Sequence, residues 1–486
     1  MNKTVVRSGK CLAAFVAAVL CLEAAGGIDW SADGKSATVQ SDGAQISTAE
    51  DTAKLAALET LTLNGRLELN GVSDLDLKAN ISGSGELTAI NSTFTISGSN
   101  DAHLASMRFT NSFVYVTARH ALGLEVNSRR VDTVNDPATA GVLRFRGEGL
   151  ETDAEINIYG NRNSDATALY DSKTDPLVFN GVLRSSSWLQ IWLGTSTIRK
   201  GLVGNMWYVN SATDVTFENT PLDRKVSNSY NLCFEGGAPT LRFNVQSNAC
   251  EGARFINPTV VCGTTDVFKV TSALQLGLNG KAATFNLNGF DQTLPFVTTY
   301  YDAYGASPTI SSLGALDVTS DKPAVLTLNG TGFEGLGAGT RYAKVAFKGL
   351  ASLHFNGTGT YEISNAVSTS IGSLRVSNGI LRFKNGADWR GMDIAVDGGT
   401  LELLDGAALN PDGLSQIALS GNGKLHLGSG VSLNVASVVT NGVALPIGVT
   451  YDSSTLPEFI TGSGSVSYAA GSTAWKTAQE DRKSVV

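Results

Sequence analysis

A five-residue phrase recurs along this chain: apolar residues in alternation, closed by Asn-Gly. It stands as Leu61-Thr62-Leu63-Asn64-Gly65 and Leu67-Glu68-Leu69-Asn70-Gly71. It returns as Phe285-Asn286-Leu287-Asn288-Gly289, Leu326-Thr327-Leu328-Asn329-Gly330 and Leu353-His354-Phe355-Asn356-Gly357, with Leu177-Val178-Phe179-Asn180-Gly181 a looser copy. Period-two alternation buries one face of a strand. Asn-Gly accepts the positive φ angles that a sharp turn needs. A second phrase, Gly-x-Leu-x-apolar, begins at Gly372, Gly399 and Gly423, with a weaker copy at Gly464. The intervals between the first three copies each fit one coil of a solenoid with variable loops.

Asn-Gly after alternating strands also describes hairpins, and hence a string of β-sandwiches. Size argues for the solenoid. A single compact core stops growing near ~250–300 residues, so sandwiches in a 486-residue chain would need several domains and linkers. The chain holds only 11 prolines and no Pro- or Ser-rich linker. In a solenoid each coil packs only on its neighbours, so the limit does not apply. The expected fold is all-β: one right-handed parallel β-helix over 27–470. At roughly 22 residues per coil it would have roughly 20 coils. Charged residues make up 16% of the chain and hydrophobic residues 42%. That is core enough to fold, with a surface of Ser, Thr, Asn and Gly.

Ser47-Thr48-Ala49-Glu50 reads as a capping box, followed by Ala53, Leu55, Ala56 and Leu58. This predicts a short helix over 48–57, placed to cover an exposed solenoid end. Residues 132–172 are less regular and read as a long loop or inserted hairpin.

Residues 1–26 read as a secretory signal peptide. Lys3, Arg7 and Lys10 precede an apolar run from Cys11 to Leu22, with small residues at Ala24-Ala25-Gly26. No later segment is long and apolar enough to cross a membrane, so the expected location is exported, at the cell surface or outside the cell. The formal net charge is −8, and losing a basic leader makes the mature chain more acidic still, which argues against nucleic acid as a partner. Cys233, Cys250 and Cys262 remain, an odd number. They read as buried apolar residues, with one disulfide as the alternative. The tail over 471–486 reads as non-domain sequence. Asp481 to Val486 resembles a translated sequencing-adapter frame, and is expected not to be biological.

Ile81-Ser82-Gly83-Ser84-Gly85-Glu86-Leu87-Thr88 resembles the G-x-G-x-L-T segment of autotransporter-associated β-strand repeats. Ala283 to Thr293 is similar to their L-x-L-N-G-x-x-Q-T segment, and Leu433 to Tyr468 to the closing coil of such passengers. The resemblance implies a pectin-lyase-like right-handed β-helix displayed or released by a bacterium. It implies no ligand. The run of amphipathic membrane strands that follows such passengers is not in this sequence.

Hydrolases on this fold resemble one another in clustered aspartates beside Gly-His-Gly and Arg-x-Lys, and that set does not occur together here. The nearest fragments are Arg119-His120 and Ile198-Arg199-Lys200, without partner carboxylates at matching spacing. His354 and His426 alternate with apolar residues and read as outward-facing. Asp74 and Asp76 read as the wet face of a strand. Glu148, Glu151, Asp153 and Glu155 read as a solvated loop, with calcium the alternative. No Cys/His spacing resembles a zinc site, so no catalytic residue, metal or cofactor is expected.

The one binding candidate is Trp188-Leu189-Gln190-Ile191-Trp192-Leu193. With Leu189, Ile191 and Leu193 inward, Trp188, Gln190 and Trp192 share the outer face, where indoles stack on sugar rings. Trp207 and Tyr208 lie one coil further and would extend that platform. The alternative is that these rings are covered by a loop or packed in the core. The functional expectation is a structural or adhesin-like surface protein facing extracellular glycans or host surfaces. The alternatives are a carbohydrate-active β-helix enzyme and a non-catalytic glycan-binding module.

Overall fold

The protein was analysed as a computed structural model. It describes residues 27–123, 130–134, 142–147, 149–159, 176–185, 189–204, 207–211, 213–218, 232–246, 248–250, 252–270, 273–277, 281, 283–298, 317–330, 340–343, 345–363, 370–383, 393–404 and 416–468. The leader over 1–26 and the tail over 471–486 lie outside the described residues. The chain forms two compact units, 1–157 and 158–486. Each is built of parallel coils, and together they hold about 13 turns of β-solenoid.

In the first unit the chain winds through three faces. One face carries β1 (Ile28–Trp30), β2 (Ser36–Val39), β4 (Thr60–Leu63) and β7 (Asn80–Gly83). The second carries β3 (Ala44–Ile46), β5 (Leu67–Asn70), β8 (Leu87–Ile90), β10 (Met107–Thr110) and β12 (Arg130–Val134). The third carries β6 (Leu75–Leu77), β9 (Thr93–Ile96), β11 (Phe113–Val116) and β13 (Val142–Phe145). Leu61 stands beside Ile81, Leu67 beside Leu87, Leu87 beside Met107 and Phe94 beside Val114, all in parallel register. Between the members of each pair the chain makes one full coil. All seven side chains are at most 1% exposed, so the alternation read in the sequence becomes a stacked dry interior.

The first coil lacks a third strand. In its place α1 (Ala49–Ala56) packs against β6, the edge of the third face. The helix begins one residue later than the capping-box reading: Thr48 is the cap, and its Oγ1 accepts from the Asp51 backbone N–H at 3.1 Å. Leu55 is its buried anchor. β1 runs antiparallel to β2 and closes the first face. An open stack of strand edges invites pairing with other chains, and both additions remove such an edge.

Over 132–172 the described residues correct the expectation of a long loop or inserted hairpin, and 135–141, 148 and 160–172 lie outside the described residues. β12 and β13 continue the parallel ladders of β10 and β11, and β14 (Leu150–Thr152) and β15 (Glu155–Tyr159) follow. Their short phrases, such as Val142-Leu143-Arg144-Phe145, lack the Asn-Gly punctuation that marked strands elsewhere.

In the second unit one ladder runs from Leu177–Phe179 through Ser196–Ile198, Val215–Phe217, Thr240–Phe243 and Thr259–Cys262, and on to Ser437–Thr440. Phe217 stacks on Phe243 with centroids 4.5 Å apart, and Phe234 on Phe255 at 5.4 Å. Coil length varies more here. Phe285 registers with Val318 and Leu326 with Leu353, so the chain travels further between these neighbours than between Leu61 and Ile81. About 13 turns of solenoid stand among the described residues, against the roughly 20 coils expected over 27–470.

The Asn-Gly phrase does two different jobs. Asn288 and Gly289 do take positive φ, +51° and +85°. Gly65 does not; there a Cβ would lie 2.1 Å from the Gln40 carbonyl oxygen, so glycine is required for coil-to-coil clearance. A true two-residue hairpin turn occurs at Asn441-Gly442, φ +47° and +80°, joining the antiparallel strands Ser437–Thr440 and Val443–Ala444.

Candidate functional site

The binding strip read in the sequence falls on two neighbouring parallel strands, Leu189–Leu193 and Trp207–Ser211. Trp188 lies outside the described residues. Gln190 registers with Tyr208, Trp192 with Asn210, and Trp207 with Leu189. Leu193, on the Leu189 alternation, is 2% exposed. Tyr208 therefore continues the Gln190 column and Trp207 belongs to the other alternation. Further along, the Tyr208 column runs through Cys233, Arg254, Gln275 and Thr298. Cys233, Gln275 and Thr298 are buried and Arg254 between them is half-exposed, so in these later coils most of that column is covered.

Coil stacking assembles a second group that sequence spacing concealed. Arg119 and His120 follow β11, and the coils on either side bring Asp101, Glu151 and Asp153 to them. His120 Nδ1 lies 3.0 Å from Asp101 Oδ1, and His120 Nε2 lies 3.5 Å from Asp153 Oδ2. Arg119 Nε donates to His120 Nε2 at 3.2 Å, and Arg119 Nη2 lies 2.5 Å from Glu151 Oε2. His120 has φ +59°. Its backbone is pinned in that conformation: its N–H donates to the Glu151 carbonyl, and its carbonyl accepts from Asn100 and Gly123. Both imidazole nitrogens are engaged, so the group acts as a clamp on a left-handed turn spanning three coils. A general base needs a free lone pair facing substrate.

The other candidates resolve into structure. Asp74 takes φ +58° at a turn, whereas Asp76 on β6 accepts from Ser97 Oγ at 2.5 Å, so the two do not share a strand face. Glu148 lies outside the described residues. Among the described residues no group of His, Cys, Asp and Glu is arranged to hold a metal ion. Arg199 contacts Asn180 and Glu218 in neighbouring coils. His354 and His426 are half-exposed between buried neighbours, as their alternation implied. Cys233 and Cys262 are buried free thiols, and burial pushes Cys233 up to about 11 and Cys262 higher still. Neither is a nucleophile at neutral pH.

One hollow opens on the outer side of β5, β8 and β10. It measures about 220 Å³ and is lined by Arg66, Glu86, Thr88, Ile90, Arg108 and Thr110. Elsewhere on the outer face, side chains of successive coils bond to one another. Arg382 bridges Glu402 (2.5 Å) and Glu362 (3.3 Å), Arg375 holds Asp397 at 2.5 Å, and Thr62 Oγ1 meets Ser82 Oγ at 3.2 Å.

Comparison with protein-family models, with curated proteins and with solved structures finds no match to this chain.

Proposed function

We propose that this chain is an exported β-helix protein of the cell surface or surroundings, with a structural, adhesin-like role and no catalysis. The observation that carries the reading is the outer face. Several of its charged groups are spent on cross-coil ladders such as Glu362–Arg382–Glu402, and His120, held between two carboxylates, has both ring nitrogens engaged. Such a surface is a stable scaffold for presentation. The resemblance of Ile81–Thr88 and Ala283–Thr293 to autotransporter-associated repeats supports display outside a bacterial cell. Among the described residues no helix is long and apolar enough to cross a membrane.

Fractionation of a bacterium expressing the full chain tests export: the reading expects extracytoplasmic protein cleaved near residue 26. Retention of the intact chain in the cytoplasm contradicts it. Incubation with a panel of polysaccharides tests the absence of catalysis. Product formation that disappears in His120→Ala would replace this reading with that of a carbohydrate-active enzyme. A glycan-binding role is the second reading, favoured by the placement of Gln190 and Tyr208 in one register column.

A further inference from the structure

We infer that the hollow between Arg66 and Arg108 is a binding site for a carboxylate-bearing saccharide, with Arg108 gripping the carboxylate. Its origin is local. Glu68, Thr88 and Arg108 stand in register on successive coils. The short Thr88 between two long side chains leaves a gap, with Thr88 and Ile90 on its floor. Arg66 is already committed: its Nη2 lies 2.5 Å from Glu68 Oε2 and its Nε donates to Thr88 Oγ1 at 3.0 Å. Arg108 is exposed and makes no ion pair or side-chain hydrogen bond among the described residues. Elsewhere in the unit, Arg66 and Arg119 each hold a carboxylate at 2.5 Å. Arg108 is thus a charged fork on the rim of a hollow with its donors unspent.

A guanidinium recognises a carboxylate through two parallel N–H bonds, an arrangement a lysine cannot reproduce. The other lining groups suit the remainder of a sugar ring. Ile90 offers an apolar patch for the C–H face, Glu86 accepts from hydroxyls, and Thr110 donates or accepts. The volume has room for a single ring. One guanidinium on a single ring binds weakly. A polymeric acidic glycan presented at high density would engage many copies of the protein at once. The inference rests on the adhesive reading and names its partner chemistry.

The test uses the full chain and two probes: a glucuronate-containing oligosaccharide, and the same oligosaccharide with its carboxyls reduced to alcohols. Calorimetric titration should show tighter binding of the acidic probe, by about tenfold or more. Arg108→Ala should lose about ten- to hundredfold in affinity for the acidic probe and little for the reduced one, with circular dichroism confirming an intact fold. Arg108→Lys should recover only part of the loss. Equal affinity for the two probes, no binding of either, or an unchanged Arg108→Ala variant would overturn the inference. If Arg108→Ala is silent while loss of Trp188 and Trp192 abolishes binding, the inference falls and the adhesive reading stands.

Discussion

Gly85 sits directly against Gly65 of the preceding coil: a Cβ placed on Gly85 would lie 2.0 Å from the Gly65 carbonyl oxygen. No side chain fits that approach, and the obstacle is backbone, which cannot swing aside. Gly85→Ala should therefore destabilise the protein by about 1–3 kcal/mol or more, as overpacking does. Gly27→Ala, where nothing lies within 4 Å, should stay within about 0.5 kcal/mol. Thermal unfolding of the two variants against the parent checks the contrast.

Asn100 is fully buried and serves two coils at once. Its Oδ1 accepts from the Ile81 backbone N–H at 2.7 Å, and its Nδ2 donates to the Ala121 carbonyl. Asn100→Leu removes both partners and leaves two buried backbone groups unpaired. The expected cost is about 1–3 kcal/mol for each group left unsatisfied, read as a shift in the denaturant midpoint with an unchanged slope.

Arg382 lies between Glu362 and Glu402, one coil to either side, and Glu362 is 5% exposed. Arg382→Ala leaves that carboxylate buried without its cation, and should cost about 1–3 kcal/mol. Replacing both Arg382 and Glu362 by Met should cost less than Arg382→Ala alone, because the more deeply buried of the two carboxylates is then gone and only Glu402 is left without its cation.

Asp397 supplies a pH signature. Burial raises its carboxyl, but hydrogen bonds from Arg375 and Ser377 outweigh this and hold it below the ordinary value of 3.8. A depressed carboxylate contributes stability that is complete above its unfolded pKa and is lost as pH falls through the folded one. Asp397→Asn should cost up to about 1 kcal/mol at neutral pH, the usual limit for an exposed pair. The difference from the parent should vanish in strong acid. Unfolding curves across the acid range measure it.

The interior was legible because its signal is local. Leu61, Leu63, Leu67 and Leu69 announce buried faces by alternation alone, and Thr48 to Leu58 announce a helix within one residue at each end. Coil length was not legible. A coil can be as short as the path from Leu61 to Ile81 or as long as that from Phe285 to Val318 without any change in the strand phrases. The same limit hid the Asp101–His120–Asp153 clamp. Its members belong to different coils and meet only once those coils are in register. The Arg66–Arg108 hollow was hidden for a subtler reason, since it depends on Thr88 being shorter than its register neighbours Glu68 and Arg108. Asn-Gly was read as turn chemistry throughout, yet Gly65 serves close packing, a demand visible only from the neighbouring coil.

The central claim is that residues about one coil apart lie side by side in parallel register. Thr62 and Ser82 are such a pair, with their hydroxyl oxygens 3.2 Å apart on the outer face. Adjacent parallel strands lie about 4.8 Å apart, within the Cα separation a disulfide spans. In the variant carrying Thr62→Cys and Ser82→Cys, mild oxidation should close an intramolecular disulfide, seen as faster migration on a non-reducing gel and loss of both reactive thiols. Two thiols that stay reduced and reactive in the folded protein would contradict the parallel stack.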